Sequence, residues 1–174
     1  MKTFTATAFV VALCVLWFSN GIGASEPQCR ELPVQAKAAI KKHATEIRGA
    51  EYCRYRDVAE GDLDGDGAID LAIAYNIEGV CHDQPGRPGA CENNHTTFLT
   101  VFLRRGTGYE QIPFIQVGGK GRRSIASVSI IDRRIEADTL EYGDRDALCC
   151  PSKKGRTRFA LTVRGLSEEA LTRP

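Results

Sequence analysis

The stretch that decides the fold is Gly61-Asp62-Leu63-Asp64-Gly65-Asp66-Gly67-Ala68-Ile69-Asp70-Leu71-Ala72-Ile73-Ala74-Tyr75, an acidic loop that runs straight into an apolar segment. Counted from Asp62, carboxylates stand at loop positions 1, 3, 5 and 9, and glycine stands at position 6. Calcium takes roughly six to eight oxygen ligands, and alternating aspartates around a tight, glycine-containing turn supply them. The spacing therefore predicts a calcium-binding loop.

The apolar segment decides which kind of calcium loop to expect. An EF-hand needs a bidentate glutamate at position 12, where this chain has Ile73. Asp70 leads instead into a run typical of a buried strand, so we expect the loop to join two strands. We expect Leu63 and Ile69 to pack inward and anchor it. The expected ligands, with a main-chain carbonyl from the alanine and water completing the shell, are Asp62, Asp64, Asp66, Ala68 and Asp70.

The rest of the chain predicts one helix followed by strands. Residues 31–48 have helical spacing of apolar side chains and end before Gly49, with His43 expected at the surface. The apolar positions of this helix are Val34, Ala38, Ile40, Ala44 and Ile47. Strands are predicted at 52–58, 71–75, 96–103, 110–116, 124–131, 134–140 and 157–163. The fold class is therefore α+β, with one N-terminal helix packed on a mainly antiparallel sheet or meander, stapled by disulfides.

The first 24 residues have the layout of a secretory signal peptide. A basic start at Lys2 precedes an apolar run at 8–18 and small residues up to Ala24. We expect cleavage after Ala24, which leaves residues 25–174 as a single domain in a secreted or periplasmic protein. The apolar run is too short to span a bilayer, which takes about 20 residues.

The cysteines also indicate export. An even number remains after cleavage, and in an exported chain such cysteines form disulfides: Cys29, Cys53, Cys81, Cys91, Cys149 and Cys150. Cys81 and Cys91 bracket a turn-rich segment, so we expect a local bridge between them. Two arrangements remain open for the other four: Cys149 and Cys150 each join a distant partner, or they join one another while Cys29 joins Cys53. Adjacent Cα atoms, about 3.8 Å apart, are closer than disulfides prefer.

Charge excludes two classes of partner. The whole chain has 23 basic and 22 acidic residues, and removal of the leader takes away only Lys2, which leaves a formally neutral domain. A neutral balance gives no electrostatic reason to bind nucleic acid, or a membrane once the leader is cleaved.

The acidic stretch resembles a known family of loops. Residues 61–73 are similar to the calcium loop of FG-GAP/VCBS repeats, the blades of integrin-type β-propellers, in a single copy. By position, the resemblance implies Asp62, Asp64, Asp66 and Asp70 as ligands. The segment Asp146-Ala147-Leu148-Cys149-Cys150-Pro151-Ser152 near the end also resembles small exported bacterial proteins of unknown function.

Catalytic motifs are missing from the sequence: it has no Gly-x-Ser-x-Gly, no His-Glu-x-x-His and no phosphate-binding loop at Gly118-Gly119-Lys120-Gly121, which we interpret as a hairpin turn. We therefore favour an exported calcium-binding protein that acts by binding a protein partner, as a periplasmic inhibitor, immunity or envelope accessory protein, over an enzyme. The alternative is a small secreted hydrolase that uses loop carboxylates such as Asp146 and a histidine, His82 or His95.

Overall fold

The computed structural model describes residues 29–79, 94–147 and 149–169. The predicted signal peptide and the predicted Cys81–Cys91 bridge lie outside these residues. Within them the chain forms one α-helix, one 3₁₀ turn and nine strands. In chain order the elements are α1 (Val34–Glu46), β1 (Ala50–Glu51), the 3₁₀ turn (Cys53–Tyr55), β2 (Asp57–Gly61), β3 (Asp70–Glu78), β4 (His95–Arg105), β5 (Gly108–Gly119), β6 (Ser124–Ile131), β7 (Arg134–Glu141), β8 (Lys153–Thr162) and β9 (Gly165–Glu169).

The strands form two antiparallel sheets. The first has the order β1-β3-β4-β5, with β2 also paired to β3, and the second has the order β6-β7-β8-β9. Strands β2 and β6 lie against each other where the sheets meet, and the main-chain N–H of Val128 donates to the Asp57 carboxylate at 2.6 Å. Gly118 and Gly119 end β5 in the first sheet, and residues 120–123 lead to β6 in the second. The interpretation of 118–121 as a hairpin turn was therefore wrong.

The helix and the two sheets form three layers, with the first sheet in the middle. One side of β3, including Ile73 and Tyr75, packs on α1 with Ile40, while the other side, including Ala72 and Ala74, faces the second sheet. Both sides of β3 are therefore covered. This explains why its sequence is almost continuously apolar instead of alternating.

The helix buries Ile40 and Ala44, as predicted, but Val34, Ala38 and Ile47 are not buried. Ala36, Ile40, His43 and Ala44 are buried, whereas Val34 is 84% exposed. The prediction of a surface position for His43 was wrong, because α1 turns that side chain onto the sheet between aromatic rings. In the part of the chain that the structure describes, no helix has the length and apolar character of a membrane span.

Disulfides join Cys29 to Cys53 and Cys149 to Cys150. The structure thus has the local arrangement of the two that the sequence left open. The first bridge ties the segment before α1 to the 3₁₀ turn before β2, with a Cα–Cα distance of 5.5 Å. Close to it, the Arg56 guanidinium donates to the main-chain oxygen of Arg30 at 2.7 Å. The entry of the chain into the helix is therefore fixed to the first sheet.

Candidate functional site

The acidic loop joins β2 to β3, as predicted. These strands are antiparallel neighbours, and Gly61 lies opposite Asp70 in their register, so the loop closes the end of a strand pair. Leu63 is buried at 3% exposure, whereas Ile69 is 54% exposed. The prediction that Leu63 packs inward is confirmed and the prediction for Ile69 was wrong. Leu63 alone of the two anchors the loop in the core between the sheets.

Hydrogen bonds from the loop's own backbone hold its carboxylates. The two oxygens of Asp62 accept from the N–H groups of Gly65 and Gly67 at 2.6 and 3.1 Å. Asp64 accepts from the Asp66 N–H at 3.2 Å, and Asp66 accepts from the Ala68 N–H at 2.8 Å. Short side chains that accept from the backbone a few residues later favour tight turns. The aspartates therefore shape the loop as well as charging it.

Asp70 is the fully buried member of the loop, with 0% exposure. One of its carboxylate oxygens accepts from the Leu63 N–H at 2.8 Å, and the other accepts from the Arg104 N–H on β4 at 2.7 Å. A buried carboxylate is costly unless hydrogen bonds satisfy it. Here these bonds tie both ends of the loop to each other and to the neighbouring strand.

Three of the predicted ligands converge. Asp62, Asp64 and Asp70 each offer a carboxylate oxygen, and these oxygens lie within 4.8 Å of one another. Ligands on opposite sides of a calcium ion are about 5 Å apart, twice the usual Ca–O distance of about 2.3–2.6 Å. Each carboxylate has lone pairs beyond those that its hydrogen bonds use. The carboxylate oxygens of these three residues are therefore suitable ligands for a hard cation. Asp66 is not part of the group.

The Asp66 side chain pairs with Arg105 and does not join the other three carboxylates. One guanidinium nitrogen of Arg105 lies 2.7 Å from an Asp64 carboxylate oxygen and 3.1 Å from one of Asp66. The Arg105 side chain also pairs with Glu110 at 3.0 Å. The hydrogen bond from Arg105 is the main reason that the pKa of Asp64 is lowered, with smaller contributions from Asp66. Asp64 and Asp66 thus already share one positive charge.

A second arginine reaches the loop from the other sheet. Arg133 lies in the turn between β6 and β7, where it and Asp132 both have positive φ, 59° and 47°. Its guanidinium donates to the main-chain oxygen of Asp64 at 2.6 Å and packs on Gly65 so closely that a Cβ there would lie 2.6 Å from the Arg133 Cζ. The loop therefore connects the two sheets. Sequence reasoning missed both arginines, because they are about 40 and 70 residues away and no local pattern points to them.

The hydrolase hypothesis named His82, His95 and Asp146. His82 lies outside the described residues, and His95 begins β4. Asp146 accepts from the N–H groups of Gly143 and Ser152, both at 2.8 Å, and from the Ser152 hydroxyl at 2.9 Å. These bonds, first the one from Gly143, lower the pKa of Asp146. A carboxylate that accepts several local hydrogen bonds has a structural explanation as a brace of this segment.

Comparison of the chain with protein-family models, with curated proteins and with solved structures finds no significant match in any of the three. The geometry of the described residues is therefore the basis for the functional proposals that follow.

Proposed function

We propose that this chain is an exported, disulfide-stapled protein whose Asp62–Asp70 loop binds calcium, in the manner of the FG-GAP/VCBS loops it resembles, and that it acts by binding a protein partner. The observation that supports the metal site is the convergence of the carboxylate oxygens of Asp62, Asp64 and Asp70 within 4.8 Å, in a loop whose sequence spacing matches calcium loops. The disulfides favour an oxidising compartment outside the cytoplasm.

The calcium would stabilise the fold, and this is the role we assign to it. The loop contacts the first sheet through Asp70 and Arg104 and the second sheet through Arg133. An ion bound here would reduce the repulsion among carboxylates where the two sheets meet. At free calcium a hundred times the dissociation constant, binding would stabilise the folded state by about 2.7 kcal/mol.

The arginines set an expectation for affinity. Arg105 lies on two of the loop carboxylates and Arg133 lies on the loop backbone, so two positive charges oppose a cation at close range. A fourth carboxylate would become available if Asp66 left Arg105 for the ion. We therefore propose a weak site, in the range of about 10⁻⁴–10⁻³ M that extracellular calcium modules use.

Thermal melting tests the metal site. The parent protein and an Asp64→Ala variant are melted in millimolar calcium and in chelator. We expect calcium to raise the melting temperature of the parent and to leave that of Asp64→Ala unchanged, because the variant lacks one of the three converging ligands. A parent protein with the same melting temperature in calcium and in chelator would contradict the proposal.

An Arg105→Gln variant distinguishes the effect of calcium on stability from that of the ion pairs of Arg105 with Asp64 and Asp66. In chelator this variant should melt below the parent, because Asp64 and Asp66 lose the charge that they share. In calcium it should gain more stability than the parent does, because the competing cation is gone. If Arg105→Gln gains less from calcium than the parent, the carboxylates are not the ligands.

The partner role rests on the assignment of the loop as a brace. Backbone and arginine contacts fix the carboxylates of the loop, so these groups have a structural role and need not be catalytic. We therefore favour a binding function over an enzymatic one. Affinity capture from an envelope extract, with the parent and Asp64→Ala as baits in calcium and in chelator, would test it. A specific protein should be retained by the parent in calcium and lost with Asp64→Ala. If the parent and Asp64→Ala retain the same proteins equally in calcium and in chelator, binding does not depend on the loop and the proposal is contradicted.

A further inference from the structure

A cleft of about 550 Å³ opens between the two sheets, and it is lined by described residues of both. On the side of the first sheet the lining residues include Asn76 and Glu78 from β3 and His95 and Thr97 from β4. The acidic loop ends at Asp70, the first residue of β3, whereas the cleft lies at the other end of that strand. The cleft and the loop are therefore at opposite ends of the sandwich. Its volume is within the range of small-molecule sites, about 300–1,000 Å³.

The inner face of the first sheet changes from apolar to polar at this end. Along β3, the positions that face the second sheet begin with Ala72 and Ala74 in the core and continue with Asn76 and Glu78 in the cleft. Strand β4 repeats the change from Leu99 in the core to Thr97 and His95 in the cleft. Alternation along a strand keeps these positions on one face. The polar side chains of this face are therefore confined to the part that lines the cleft, where they are available to a ligand.

The strands bordering the cleft are irregular at the same end. The pairing of β4 with β5 shifts between Thr97 and Phe98, and the pairing of β6 with β7 shifts between Ile125 and Ser127. Residues on both sides of the cleft are therefore next to bulges. Bulges bend strands and redirect side chains, and they are frequent beside functional sites.

One hydrogen bond prepares the polar floor for a ligand. The Thr97 hydroxyl, on a side chain that is 4% exposed, donates to the Asn76 side-chain oxygen at 2.6 Å. This bond fixes the orientation of the amide, so that its NH₂ group remains as a donor. The floor of the cleft thus offers a preorganised donor, the Asn76 NH₂ group, and an acceptor, the Glu78 carboxylate.

The rest of the rim is largely apolar. The ring of Tyr55, 63% exposed, stands at one edge, and the Cys149–Cys150 disulfide with Pro151 stands at another. Asp146 fixes the segment that carries this disulfide through its hydrogen bonds to Gly143 and Ser152. An exposed aromatic ring and a polarisable disulfide give apolar surfaces for packing against C–H groups.

We propose that this cleft binds a neutral saccharide. Its described lining contains Glu78 but neither lysine nor arginine, and of the two arginines that line the adjoining pocket, Arg54 and Arg56, the second is paired with Glu51. This balance disfavours phosphates and other anions. An apolar ligand would leave the Asn76 amide and the Ser124 hydroxyl without partners, which is costly. Sugar hydroxyls both donate and accept, so they match the Asn76 amide and the Glu78 carboxylate together. The C–H faces of the sugar ring match Tyr55.

Nuclear magnetic resonance titration of the protein tests this inference, with amide shifts as the readout. The probes are glucose, galactose, mannose, N-acetylglucosamine and the disaccharides maltose and cellobiose, against glucuronate as an anion and spermidine as an amine. At least one neutral sugar should cause saturable shifts at Asn76, Thr97 and Ser124, in calcium and in chelator alike. Tyr55→Ala should weaken the binding about fivefold, since stacking on an aromatic ring contributes about 1 kcal/mol.

Two further variants separate binding from folding. Asn76→Asp keeps an acceptor for the Thr97 hydroxyl but replaces the donor NH₂ with a second acceptor, so sugar binding should weaken. Val163→Ala truncates a fully exposed side chain in the β8–β9 turn and should change nothing. The inference is overturned if no neutral sugar gives saturable shifts, if the shifts fall outside the cleft, if Tyr55→Ala binds like the parent, or if glucuronate or spermidine binds more tightly.

Discussion

At the scale of single residues, Asp70 shows how a buried charge is kept in the fold. Both of its carboxylate oxygens accept main-chain N–H groups, one from the loop and one from β4, and the side chain has no exposure to solvent. Hydrogen bonds to a charged acceptor are stronger than neutral ones. Asp70 thus has a structural role that is independent of whether an ion is bound.

Asp70→Ala should destabilise the protein even without metal. The change leaves the buried N–H of Leu63 and the part-buried N–H of Arg104 without acceptors, and an unsatisfied buried group costs about 1–3 kcal/mol. Chemical denaturation in chelator should show a loss of several kcal/mol, on the order of 2–5. Asp66→Ala, which removes a more exposed carboxylate of the same loop, should cost much less. Equal losses for the two variants would show that Asp70 has no special role.

His43 is the other buried polar residue with a clear physical consequence. Its Nδ1 lies 2.7 Å from the Tyr75 hydroxyl, and its ring stacks on Phe114 with centroids 3.5 Å apart and meets Phe98 edge-on. Burial lowers the pKa of His43, and the nearby carboxylate of Glu46 opposes this only in part. The neutral imidazole is therefore the form that the fold favours.

Stability should consequently fall in mild acid through His43. Its folded-state pKa is below the unfolded value of about 6.5, so the unfolded chain binds more protons and stability rises with pH in this window. The contribution is complete above the unfolded pKa and is lost as the pH falls from about 6.5 towards the folded pKa. The free energy of unfolding of the parent and of His43→Gln, measured by denaturation from about pH 5 to about pH 8, gives this contribution. A difference between the two proteins that stays constant with pH would refute it.

At the scale of elements, two hairpin ends meet at the acidic loop. The β6–β7 turn presents Arg133 to the β2–β3 loop, where Gly65 leaves the space that the guanidinium occupies. Gly65 and Gly67 both have positive φ, 84° and 82°, but open space surrounds Gly67. These two glycines form a natural pair for measuring the contact between the sheets.

Both Gly65→Ala and Gly67→Ala should destabilise the protein, by about 1–2 kcal/mol from the left-handed backbone alone. Gly65→Ala should cost about 1 kcal/mol more, because Arg133 must leave its bond to the Asp64 main-chain oxygen. Denaturation in chelator measures both. In an Arg133→Ala background the two substitutions should cost the same. A larger penalty for Gly65→Ala that persists without Arg133 would show that another contact is responsible.

At the scale of the whole molecule, the layers are joined at a few points that are distant in sequence. The Cys29–Cys53 bridge holds the start of the helical layer to the first sheet across a separation of 24 residues, while Cys149 and Cys150 are neighbours in the chain. A cross-link stabilises the folded state mainly because it lowers the conformational entropy of the unfolded chain, and this effect increases with the length of the closed loop.

Replacement of both Cys29 and Cys53 by serine should therefore destabilise the protein by roughly 3 kcal/mol. The matched control replaces both Cys149 and Cys150 by serine, which opens no chain loop and should change the free energy of unfolding by far less. Denaturant titration of the two double variants and the parent makes the comparison. A larger loss from the vicinal pair than from Cys29 and Cys53 would show that contacts, and not loop closure, govern the effect of these bridges.

The sequence by itself determined the local features. The Asp spacing of the loop determined its turn, because the carboxylates accept N–H groups only a few residues away. The apolar periods located the helix and most of the strands, including β6 with its exact bounds at 124–131. The short strands β1 and β9 were missed. The strand predicted at 52–58 was misplaced, because Cys53–Tyr55 form the 3₁₀ turn and β2 begins only at Asp57.

Only the tertiary structure decided how the strands divide into two sheets and what covers each side of them. Period-two alternation predicts that one face of a strand is buried, but it does not name the layer that buries it. For this reason His43 is buried and Ile69 is exposed, against expectation, and Arg105 and Arg133 meet the acidic loop from distant elements. The inter-sheet cleft also exists only because polar positions of separate strands come together where the layers open, which is a matter of packing between segments and not of local sequence.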